Sequence, residues 1–127
     1  MDVPALVDLA ERRTLYSQAL LSTALERGVI LAVPTSALGV ARSHVGSEGR
    51  ARLHLLRDLW AVVLAVLTLE AAEAAGDLLA TGDTSDPTDV AAAHVTLVGL
   101  RRGWPVVSDR GATLRALAGA VTVEELP

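Results

Sequence analysis

The sequence predicts an α/β fold, a three-layer sandwich in which helices cover a mostly parallel sheet of four to five strands. Two apolar runs without polar alternation, Val29–Val33 and Ala61–Leu67, read as strands buried on both faces. A third short run, Pro105-Val106-Val107-Ser108, has the same character, and apolar residues recur at helical spacing between the three. Strands that alternate with helices pair in parallel through crossovers. The 127 residues are enough for one domain with a real core, so the whole chain, 1–127, is read as a single domain.

Asp2-Val3-Pro4 gives a cap and an early helical proline for a first helix that buries Leu6, Leu9 and Ala10. A second helix runs from about Thr14 to Arg27, and Gly28 stops it. After the first strand, Thr35-Ser36 starts a third helix, closed near Gly46. Leu53, Leu55, Leu56 and Leu59 carry a fourth. Thr68 caps the helix after the second strand, and its small residues Ala71, Ala72, Ala74, Ala75 and Gly76 suit close packing on a sheet. The polar run Thr81–Ser85 is a loop. Asp86-Pro87-Thr88-Asp89 opens a long helix that ends at Arg102-Gly103. Asp109 follows the third strand, a helix covers Thr113–Ala118, and Val121-Thr122-Val123 forms an edge strand. The order of elements also asks for a strand before Asp2, for which Met1 leaves no room.

The composition excludes several chemistries. There is no cysteine, hence no disulfide framework and no thiolate site, and a metal would rest on oxygen or histidine. The longest apolar run, Leu59–Leu67, is too short for a bilayer, and nothing resembles a signal peptide, so a cytoplasmic protein without a membrane partner is expected. A formal charge of −4 argues against binding nucleic acid by bulk charge. All basic residues are arginine, and Arg42, Arg50, Arg52 and Arg57 cluster as candidates for phosphate contacts. His44, His54 and His94 share no zinc spacing; only His94, one turn beyond Asp89, is kept as a minor candidate. No glycine-rich phosphate loop or serine elbow is present.

Three aspartates stand at expected corners: Asp2 before the first helix, Asp89 at the start of the long helix, and Asp109 at the carboxyl end of its strand. Carboxylates gathered at one rim repel and call for a cation, and an all-oxygen site suits Mg²⁺ or Mn²⁺. Taken singly, each residue reads as a helix cap or first-turn acid. The ordered set Asp-x-x-Ala-Leu from Asp2, TSDPTDVAAAHV from Thr84 and WPVVSD ending at Asp109 resembles the PIN-domain family over essentially the whole chain. The resemblance implies a metal-dependent ribonuclease of the kind that serves as the toxin of a toxin–antitoxin pair. Asp2, Asp89 and Asp109 would be its catalytic, metal-binding acids, Asp86 an accessory ligand, and Mg²⁺ or Mn²⁺ its cofactor. RNA would be the substrate and a cognate antitoxin the partner.

Where the family places a glutamate in the helix after its second strand, this chain has Val40. That departure motivates the alternative, a catalytically impaired PIN-like domain acting as a protein- or RNA-binding module. The four leucines Leu53, Leu55, Leu56 and Leu59 exceed what one short helix needs inside, so a homodimer or an antitoxin helix is expected to cover some of them.

Overall fold

The computed structural model describes residues 1–127 and is mainly helical: seven helices account for 58% of the chain. In order, the elements are α1 (Val3–Glu11), α2 (Leu15–Arg27), β1 (Leu31–Pro34), α3 (Thr35–Ser43), α4 (Ser47–Leu56), β2 (Val62–Ala65), α5 (Leu69–Thr81), α6 (Val90–Arg102), β3 (Val106–Ser108), α7 (Gly111–Leu117) and β4 (Val123–Glu125). Helix boundaries follow local chemistry. Asp2 and Thr68 cap α1 and α5 through bonds from the Val3 and Ala71 amides. Gly28 and Gly103 end α2 and α6 in the left-handed conformation that glycine adopts without steric cost.

The strands correct the expected architecture. Instead of one sheet of four to five strands inside a sandwich, there are two separate two-stranded parallel sheets, β1 with β2 and β3 with β4. The register pairs Leu31 with Val62 in the first and Val106 with Val123 in the second. The reason lies between them. Only Met1 and Asp2 bridge β1 and β3: the amino-terminal nitrogen donates to the Ala32 carbonyl at 2.7 Å, and the Asp2 amide donates to the Val107 carbonyl at 3.1 Å. Two residues cannot supply a ladder, so the sheets stay apart.

The core gathers Leu6, Val33, Leu53, Val95 and Leu114 around buried alanines of α1, α3 and α6. β2 also departs from expectation, because Val63, Leu64 and Val66 are exposed rather than buried on both faces. Its second edge carries no strand. α5 packs chiefly on α6, not on a sheet, with Ala71 and Ala75 on the buried side. Of the four leucines, Leu53 and Leu56 are buried, Leu59 packs partly against the core, and Leu55 alone stands out at 64% exposure. No helix is long and apolar enough to cross a membrane.

α6 approaches β3 so closely that a side chain at Gly99 has no room: a β-carbon there lies 2.7 Å from Val106 Cγ2. Gly76 on exposed α5 has open space instead. Gly76→Ala is therefore expected to stabilise the chain by about 1 kcal/mol through helix propensity. Gly99→Ala gains the same propensity but overpacks, at a cost of about 1–3 kcal/mol, and is expected to lower the melting temperature. Thermal unfolding of the two variants checks the opposite signs.

Candidate functional site: an arginine fork on two buried-rim acids

Asp2 is wholly buried at the start of α1, where its backbone reaches β3. Asp89 caps α6 by accepting from the Ala92 amide at 2.8 Å. Between them lies Arg110, the residue that caps α7, with a side chain 26% exposed. Its Nε and Nη2 grip Asp2 at 2.7 and 2.8 Å, and its Nη1 reaches Asp89 at 2.7 Å. Ser108 completes the arrangement. Its hydroxyl accepts from the Arg110 amide at 3.0 Å and donates to Asp2 Oδ2 at 2.7 Å.

The guanidinium is raised above its ordinary pKa, chiefly by the Asp2 hydrogen bonds, with burial opposing and the fields of both carboxylates adding. A carboxylate offers about four acceptor positions. Asp2 uses all of them: Val3 N and Arg110 Nη2 on Oδ1, Ser108 Oγ and Arg110 Nε on Oδ2. Asp89 gives one oxygen to its helix and the other to Arg110.

Asp109 stands elsewhere. It is exposed and lines a cleft of about 390 Å³ with Asp8, Arg13, Thr14 and His44. Strand alternation explains the separation, since the buried Ser108 side chain and its neighbour leave β3 in opposite directions. Asp86 is exposed and folds onto Thr88, whose hydroxyl and amide hold its carboxyl below the ordinary range. Nowhere do three carboxylates or histidines gather in metal-ligand geometry. The residues present thus fit a divalent metal poorly. The one shared position between Asp2 and Asp89 already holds a guanidinium, and the Asp2 lone pairs are all taken by protein donors.

The other candidates divide. Arg42 and Arg50 donate to each other's carbonyls across the turn between α3 and α4. Arg52 bonds the Ala10 carbonyl and Glu48, and Arg57 pairs with Asp58. Arg42, Arg50 and Arg52 thereby join helices, whereas the contacts of Arg57 are local. Buried His94 meets Ser36 Oγ at 2.8 Å through Nδ1 and ties α6 to α3. No carboxylate orients its ring, so the pair lacks the third member of a nucleophilic relay. Arg110 is the residue that sequence reasoning missed. The available signal was electrostatic: two acids expected at one rim, and an arginine next to the third.

No family profile, no curated protein and no solved structure matches this chain.

Removing Arg110 leaves Asp2 charged, buried and uncompensated. Arg110→Met is expected to cost about 3–5 kcal/mol, and pairing it with Asp2→Asn should recover a large part of the loss. Asp109→Asn, at an exposed position, is expected to stay within about 0.5 kcal/mol. Urea denaturation of the variants separates these outcomes.

Burial also lowers two bases. The Met1 amine falls from 8.0 to about 6, with Asp2 partly opposing, and His94 falls below its ordinary value of 6.5. In both cases the unfolded chain binds the proton more tightly, so stability rises with pH. The amine's contribution is complete above about pH 8 and lost as pH falls to about 6; that of His94 is lost below about 6.5. The melting temperature should therefore climb from pH 6 to pH 8, and acetylating the amine should flatten the slope above pH 6.5.

Proposed function

We propose that residues 1–127 act as a protein-binding module and not as the metal nuclease that the PIN-like order of acids implies. The observation that carries this reading is the Arg110 fork. A cation position between Asp2 and Asp89 exists, and the chain fills it with its own guanidinium. Val40, exposed on α3, offers no further acid. What the surface offers a partner is apolar: Trp60, Val63, Leu64, Val66 and Leu69 are exposed along β2 and its flanks, beside an unpaired strand edge. An edge of this kind suits an added strand from a protein partner.

One observation favours a second reading. Asp2 and Asp89 converge on a single positive charge, so a divalent cation in place of the guanidinium would have two of the three expected ligands. In that reading the chain is a Mg²⁺- or Mn²⁺-dependent ribonuclease and the toxin of an antitoxin pair, with Arg42, Arg50, Arg52 and Arg57 toward RNA. Calorimetric titration of the native chain with Mn²⁺, with RNA-cleavage assays alongside, decides between the two. The binding-module reading expects no saturable metal heat and no cleavage. Metal heat and cleavage that both disappear in Asp89→Asn would overturn it.

A further inference from the structure

The two sheets face one another across a cleft of about 380 Å³ with Met1 in its lining. One wall is Val29–Ala32, the other Trp104–Val107, and Val95, Val98 and Gly99 of α6 lie between. Each wall ends in a strand edge, Leu31–Ala32 of β1 and Val106–Val107 of β3; ahead of these the Val29 and Trp104 amides bond back to Ala24 and Gly99, and Pro105 has no amide hydrogen. Leu31 donates to Ala61, on the β2 side, whereas the Ala32 carbonyl accepts from Met1. Val106 donates to Thr122, on the β4 side, whereas the Val107 carbonyl accepts from Asp2. In a strand the N–H and C=O of one residue share a side. The Ala32 and Val107 amides therefore face the cleft as well.

Met1 and Asp2 bond to opposite walls in succession, which is how a strand lying between two parallel neighbours behaves. They occupy one end of the slot, and the open part lies on the amino side of Met1. Its lining is apolar except for Arg102 and Glu124, and both are engaged: Arg102 stacks on Trp104 at 4.9 Å, and Glu124 accepts from the Tyr16 hydroxyl. Their charges are opposite in sign and give the lining no net charge to favour a charged ligand. The amine itself is buried with no carboxylate in ion-pair reach, and its one bond, to Ala32, is one an ordinary amide makes equally well without the charge.

We propose that this slot seats an apolar β-strand belonging to the same polypeptide, joined to Met1 and running parallel to β1 and β3. Walls of four residues set its length at about four residues. Covalent attachment is what the amine position favours, because an amide donates to Ala32 as the amine does but has no proton to shed on burial, and because it holds the strand at high effective concentration.

The test compares the 127-residue chain with two versions extended before Met1, one by four β-branched residues and one by Gly-Ser-Gly-Ser. The apolar extension is expected to raise the melting temperature by about 10 °C and slow amide exchange at Ala32 and Val107 at least about 100-fold. The Gly-Ser extension is expected to do neither. Equal effects from both, or none from the apolar one, overturn the proposal. Saturable protection by the same apolar peptide added free, with no protection when it is fused, also overturns it and gives the slot to a separate protein. The intact mass of the protein from its own cells offers a second readout. It should exceed 13.2 kDa by such a segment, and a mass beginning at Met1 counts against the proposal.

Discussion

The Arg110 guanidinium joins three distant parts of the chain at one point: the start of α1, the start of α6, and the corner where β3 turns into α7. Asp2 is buried, and a buried carboxylate is tolerable only with its charge compensated and its lone pairs filled. Meeting that demand fixes the register of β3 against the chain's beginning, because Ser108, Asp2 and Arg110 can bond as they do in one arrangement only. The two short sheets, each too small to persist alone, are held in place by helices and by this polar node.

Such a node specifies more than it stabilises. The attraction between Arg110 and its two acids offsets desolvation of all three, and an apolar trio of similar volume would serve stability as well. What the ion pairs add is intolerance of alternatives: a slip of β3 by one residue would send Ser108 outward and leave Asp2 without its donors. The same saturation bears on chemistry. A carboxylate with every lone pair committed has none to offer a metal until a protein donor withdraws.

Much of the local structure was legible in the sequence. Caps at Asp2 and Thr68 and stops at Gly28 and Gly103 rest on interactions within a few residues, and they fell where expected. The sheet did not, because pairing depends on partners far along the chain, and an apolar run such as Ala61–Leu67 reads alike whether it ends at the centre of a sheet or at an exposed edge. The acids show the same division. Position at a corner was readable, so Asp2 and Asp89 do share a charge. The direction of Asp109 turned on strand alternation, and the part played by Arg110 could be found only by asking what neutralises two neighbouring carboxylates.

The exposed face of β2 has a consequence for behaviour in concentrated solution. Val62–Leu67 is uncharged and free of proline and glycine, its strand edge is open, and no lysine anywhere in the chain is available to guard it. Segments of this type pair with copies of themselves, edge to edge, unless something covers them. The chain's net negative charge then becomes its main protection against self-association, and that protection weakens as salt screens the charge.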